Sequence, residues 1–331
     1  MRTPISYIGL MGLMVIILAG LFLSGCQESV VDPTSQTDDE YLQSTAIQSV
    51  YSNDPDDEDN LMASEIEDFE SEGAVEDYPG ADPIDSLIAW GQKIINVNVN
   101  TSITSLGDSL KQVTVTRMVT GELIIVYNSS GASGTPDTTL KPFTREQKRF
   151  VTFKKISNHP NPRFRWRLYE ISAIDGQTTS PMIGKDNIVM NKVEIYKNGT
   201  LELTLNGPDF TVNKFVTRLF NGNGLIEVRP GDQVNVKVYL TSNQADKDIV
   251  LFHWSKNPHR FHRVRFEMTS EVPNGSGFDR VFERTFDIYN AHRIGIFNGY
   301  ISSSIRSTLF DSDPSKLSST YMGMRYRVRA F

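Results

Sequence analysis

The sequence predicts a mainly β protein with helices near its amino terminus, in which an α+β domain is followed by an antiparallel β-sandwich. Three observations carry this. Apolar residues recur at helical spacing only between about 41 and 95. Beyond that point β-branched and aromatic residues alternate with polar ones in short runs, the pattern of half-buried strands. Turn signals punctuate those runs: Lys197-Asn198-Gly199 and Pro230-Gly231-Asp232 each sit between alternating segments.

The helical part comes first. Tyr41, Leu42, Ala46, Ile47, Val50 and Tyr51 mark one short amphipathic face, and Leu61, Met62, Ile66 and Phe69 a second. Short helices are marginal alone in water, so both are expected to dock on the following domain. Asp82-Pro83 opens a third, with Ile84, Leu87, Ile88, Gly91 and Ile95 on its face. The sequence then turns to alternation at Val97, Val99, Thr101 and Ile103. Residues 113–127 read as a long strand with a bend at Gly121, and 129–139 as a Gly/Ser/Thr loop. Residues 150–156 and 164–171 form a further pair. In the second, Phe164, Trp166 and Leu168 share one face, and Arg163, Arg165 and Arg167 the other. Residues 177–186 read as a linker.

From Ile188 onward no helix is expected. Val193 and Ile195 pair across Asn198-Gly199 with Leu201, Leu203 and Leu205, and a strand at 234–240 follows. Further strands are expected at 249–254, 261–268, 281–289, 293–302 and 321–330. The expected organisation is a signal segment at 1–25, an acidic tether at 26–40, an α+β domain at 41–180 and a β-sandwich at 187–331. In element order the region 40–180 resembles the nuclear transport factor 2-like cone. The carboxy-terminal half resembles the immunoglobulin or fibronectin type III class, without a Cys…Trp…Cys framework.

The amino terminus has a charged start at Arg2, an almost wholly apolar stretch from Ile8 to Leu23, and small residues before Cys26. Leu23-Ser24-Gly25-Cys26 resembles the lipobox of bacterial lipoproteins. That resemblance implies cleavage before Cys26, acylation of its thiol and new amino group, and a stable membrane anchor of several acyl chains such as palmitate. Gln27, where an inner-membrane retention signal has aspartate, implies the outer membrane. Cys26 is the only cysteine, so no disulfide and no thiolate metal site can form within the chain.

Charge divides the chain. It holds 40 acids and 33 bases; 19 of the acids and none of the bases lie within 27–85. Arg2 is the one base before that segment, which leaves 21 acids and 32 bases after it. The acidic segment reads as a solvated spacer. Asp54, Asp56, Glu58 and Glu65 fall at ligand positions of an EF-hand loop, but Asp59 occupies the place that requires glycine, so calcium is not assigned.

No P-loop, His-Glu-x-x-His, Gly-x-Ser-x-Gly or dinucleotide fingerprint occurs, so no cofactor is expected and a non-enzymatic role is favoured. Carboxylates are plentiful, and a glycosidase-like acid and base stays open. His253, His259 and His262 lie close together, but the neighbouring Lys256, Arg260, Arg263 and Arg265 would repel a metal ion. The same stretch is better read as a cationic, aromatic loop. Trp254, Arg260, His262 and Arg263 are candidate partner-binding residues there. Arg325, Arg327 and Arg329 are a second set, since period-two arginines place guanidinium groups on one sheet face. The expected partners are an acidic glycan, lipopolysaccharide or a surface protein, not nucleic acid. Two alternatives stand beside this. The arginines pair with carboxylates of adjacent strands, or the acidic segment folds back on the basic body. A separate reading is a small-ligand pocket in the cone-like domain, lined by Trp90, Tyr127, Phe153 and Trp166.

Overall fold

The computed structural model describes residues 36–51, 86–128, 136–216, 225–257, 260–288 and 294–330. Cys26, the acidic loop around 54–60 and the second expected helix at 61–69 lie outside these residues. One helix longer than a turn is described, α1 (Asp38–Tyr51). Its start is set by Thr37 and Glu40, each of which bonds the other's backbone amide. This is the reciprocal capping box that satisfies two free N–H groups. Its apolar stripe, with Leu42 and Ala46 fully buried, packs on Val113, Val115, Phe153 and Trp166.

The strands are β1 (Ser86–Ser105), β2 (Leu110–Asn128), β3 (Asp137–Lys155), β4 (Trp166–Ser172), β5 (Asp175–Ser180), β6 (Ile188–Lys197), β7 (Thr200–Asn206), β8 (Lys214–Val216), β9 (Ile226–Val228), β10 (Gln233–Ser242), β11 (Ile249–Asn257), β12 (Arg260–Arg265), β13 (Glu267–Asn274), β14 (Gly277–Asp287), β15 (Gly295–Ser304) and β16 (Ser319–Val328). They form two sheets. The larger has 11 strands in the order β1-β2-β3-β5-β16-β15-β11-β12, with β4, β8 and β9 attached at its side. The smaller has five, β13-β14-β10-β6-β7. Pairings are antiparallel except for β9 with β16. The protein is thus mostly antiparallel β, as the alternation predicts. The two sheets share an apolar core in which Val193, Ile195, Val236 and Val238 of the smaller meet Val250, Phe252, Ile301 and Met322 of the larger.

Three expectations are corrected. Residues 86–95, expected as a helix, are the start of β1, paired with β2 from Ser86 to Ser105. Extended pairing with β2 satisfies their backbone groups, and two β-bulges, at Leu87/Ala89 and Ile94/Asn96, mimic helical spacing in the sequence. The segment 177–186 is not a plain linker, because β5 supplies its first part. The boundary expected at 180–187 is therefore no break in the sheet: β5 pairs with β3 on one side and with β16 on the other. Finally, Arg163, Arg165 and Arg167 do not form a strand ladder. Pro162–Arg165 is a single helical turn capped by Asn161, whose side chain accepts from the Arg163 amide.

Candidate functional site

Directly opposed residues in a sheet share a face. One row of them crosses the larger sheet: Arg117 opposite Gln147, then Gly176, Tyr321, Ser302, Leu251 and Arg265. Neighbours two or four residues along each strand add Arg145 and Arg149 on β3, Arg325 on β16, Tyr300 on β15 and His253 on β11. This face also carries α1, since Val113, Val115 and Phe153 beneath the helix have the same parity. Across roughly 30 Å, six steps of about 4.8 Å, five arginines therefore share one side of one sheet.

Each is placed on this face by the alternation of its strand. On this face of β3 the buried positions run Lys141, Phe143, Arg145, Gln147, Arg149, Val151 and Phe153. The polar members separate two hydrophobic clusters. One, around Val113, Val151 and Trp166, lies under α1; the other gathers Trp90, Leu123 and Phe143 with Ile249 and Leu251. Arg145 is almost wholly buried; its guanidinium donates to Gln92 Oε1 at 3.0 Å and lies 5.4 Å from the Tyr321 ring centre and 5.5 Å from that of Phe143. Arg117 donates to Gln147 Oε1 at 3.4 Å. The Tyr321 ring meets Tyr300 edge-on at 6.1 Å, and Tyr300 stacks on His253 at 4.3 Å. His253 Nε2 shares a 2.8 Å hydrogen bond with Ser302 Oγ, so the imidazole is held in place on both its face and its edge. The site is a band of fixed guanidinium groups interleaved with stacked rings. Such an arrangement suits carboxylate or phosphate oxygens, which planar guanidinium donors grip in pairs.

The two stretches singled out from sequence meet here. The hairpin β11–β12 forms, with His253 opposite Arg263 and Trp254 opposite His262, and β15 alone separates it from β16. The side chains of Trp254, Arg260, His262 and Arg263 lie outside the described set, so only their strand positions are given. The run from Arg325 to Arg329 is corrected. Arg325 is buried among the band, whereas Arg327 donates to Glu227 Oε1 at 3.2 Å and Arg329 to the same oxygen. Burial works against the charge of Glu227, but the two guanidinium groups hold its carboxyl below the usual range. The run is thus a cross-strand ion pair network at Arg327 and the exposed Arg329, with Arg325 buried in the band.

Arg117, Lys141, Arg145 and Arg149 were not picked out from sequence. The signal was present: basic residues at every second or fourth place from Lys141 share the parity of Phe143, Val151 and Phe153. Two acidic residues of the tether side meet bases of the body, Asp38 with Arg165 at 2.9 Å and Asp39 with Lys111 at 2.6 Å. These two contacts join the start of α1 to the body. The four residues proposed to line a ligand pocket are all buried and split between the two clusters, Trp90 and Tyr127 in one, Phe153 and Trp166 in the other. Among the described residues no group of three or more His, Cys, Asp or Glu stands ready for a metal ion.

No known family matches the sequence, and no curated protein matches it. A solved structure of extended synaptotagmin 2, comprising its SMP domain and two C2 domains, aligns over 73% of this chain and 89% of its own, with 7% identity and a TM-score of 0.13. That likeness is too slight to carry fold or function across.

Proposed function

We propose that this chain is an exported, lipid-anchored envelope protein, held by acyl groups on Cys26 in the outer membrane, whose body is a non-enzymatic binding module for an anionic surface partner. The partner class is an acidic glycan, lipopolysaccharide or an acidic protein surface. The observation that carries the binding half is the placement of the half-buried Arg117 and Arg265 on one face of one sheet, with the buried Arg145, Arg149 and Arg325 set in the same face between them. The anchor half rests on the apolar run ending in Leu23-Ser24-Gly25-Cys26. An immunoglobulin-like arrangement of the smaller sheet and the strands it faces goes with this reading, since such sandwiches present partners on sheet faces and end loops.

The test has two arms. Cys26→Ser is expected to abolish labelled fatty-acid incorporation and to release the protein from membranes; retained label removes the anchor. Binding of lipopolysaccharide micelles to the purified protein is expected to weaken at least about tenfold, or about 1.4 kcal/mol, in the double variant Arg117→Gln/Arg265→Gln, and to weaken with added salt. An unchanged, salt-insensitive binding curve removes the anionic partner.

A further inference from the structure

The larger sheet has two ends, and they are built differently. At one end β12 carries Arg260, Arg263 and Arg265 in six residues. At the other lies β1, paired only with β2 among the described strands. Natural sheets blunt an edge with charges, proline, bulges or brevity, because a free row of N–H and C=O groups templates another strand. The smaller sheet follows that rule at both ends: β13 holds Glu267, Glu271 and Pro273, and β7 is short and holds Glu202. The first half of β1 does too, with Lys93 and two bulges. Its second half does not. From Asn96 to Ser105 the strand is regular and ten residues long, without charge, proline or glycine.

This half alternates cleanly. Asn96, Asn98, Asn100, Ser102 and Thr104 are exposed on one face. Val97, Val99, Thr101 and Ile103 are half-buried on the other, where Val97 packs on one apolar cluster and Val99 and Ile103 on the second. Both clusters therefore reach the rim of the sheet and stop there partly covered. We propose that this edge pairs with the same edge of a second copy, antiparallel about a two-fold axis at Asn100. The strand is self-complementary in that register. Val97 falls opposite the partner's Ile103, Val99 opposite the partner's Thr101, Asn98 opposite the partner's Ser102, and Asn96 opposite the partner's Thr104. Every pair on the core face is β-branched, and every pair on the outer face joins amides and hydroxyls, the combinations that stabilise cross-strand neighbours. No like charges meet, and the isologous contact closes on itself. The pairing continues both apolar clusters across the dyad and uses none of the arginines of the band, so it stands apart from the function proposed above.

The chain's single cysteine makes the test direct. In the full-length chain bearing Cys26→Ser, purified in mild detergent, Asn100→Cys places one thiol at the dyad and is expected to give a disulfide-linked dimer on mild oxidation. Asn96→Cys, eight residues from its own copy across that dyad, is expected to stay unlinked. Introducing Asn98→Lys and Ser102→Lys sets like charges opposite one another, and sedimentation is expected to show the parent as a dimer and this variant as a monomer with an unchanged circular dichroism spectrum and melting temperature. A monomeric parent overturns the proposal. So does equal cross-linking at positions 96 and 100, or a charged variant that stays folded and dimeric.

Discussion

Asp248 and Arg280 are both fully buried and joined by a 2.7 Å ion pair. Arg280 also donates to the carbonyl oxygens of Gln244, Ala245 and Asp246, and to Glu271 at 2.8 Å. Those carbonyls belong to the loop that carries the chain from β10 in one sheet to β11 in the other, so one side chain fastens the crossover between layers. Removing one partner of a buried pair strands the other, which costs about 3–5 kcal/mol. Asp248→Asn is therefore expected to lower the urea midpoint by that equivalent; a loss below about 1 kcal/mol would mean the pair behaves like a surface one. Lys141 makes a related contact, donating to the carbonyls of Ser307 and Lys316 at 2.7 and 3.0 Å. Burial pushes its amine down to about 8 from 10.5, partly opposed by Asp311 and Asp313. The folded state thus releases this proton before the unfolded chain does. Between about pH 8 and 10.5 the unfolded chain holds more protons, and stability rises with pH from this group. The stability difference between the parent and Lys141→Met is expected to be flat below about pH 8 and to shift in the parent's favour above it. Equal slopes in both proteins across that window would contradict the assignment.

Among elements, the β6–β7 hairpin was the most legible. Asn198 and Gly199 have φ of 49° and 83°, the pair of positive values that a two-residue hairpin turn demands. A Cβ at Gly199 would meet nothing within 4 Å, so the cost of Gly199→Ala is backbone strain alone. We expect a loss of about 1 kcal/mol, read from chemical denaturation, and a loss of about 1 kcal/mol for Asn198→Gly, whose side chain accepts from the Gln233 amide and donates to Asp232. Helix α1 was legible for a similar reason, since its apolar spacing and its Thr37–Glu40 box are both local. The first half of β1 was not. Of the helical face read there, Ile84, Leu87, Ile88, Gly91 and Ile95, the strand buries Leu87 and Gly91 and exposes Ile95, and only the partner strand β2 distinguishes helix from strand. The same holds for Arg163 and Arg165, where a proline and an asparagine cap turn a strand-like alternation into one helical turn.

For the whole molecule, the consequence of β5 is the largest. It ties the early strands to β16, the last in the chain, and the cluster around Trp90 and Phe143 draws Ile249, Leu251, Leu309 and Leu317 from beyond residue 187. That cluster is completed only when both parts of the chain are present, whereas the core between the two sheets takes Ala173 alone of its buried residues from before 188. Heating is therefore expected to unfold residues 86–331 in a single calorimetric transition, and residues 187–331 expressed by themselves are expected to expose enough apolar surface to bind a hydrophobic dye. Two resolved transitions would show separable domains instead. The same long-range pairing assembles the cationic face, whose arginines come from β2, β3, β12 and β16.

By itself the amino-acid order determined the local properties: a lipobox-like amino terminus, an acidic segment ahead of a basic body, strand alternation, the Asn-Gly turn and the first helix. Each depends on residues within a few positions of one another, where backbone conformation and side-chain parity are set. Tertiary structure decided which strands became neighbours, and so which arginines share a face, which are answered by Glu227, and which strand ends the larger sheet among the described residues. Strand pairing depends on shape and burial summed over hundreds of residues, and alternation records only which side of a strand is covered, not what covers it.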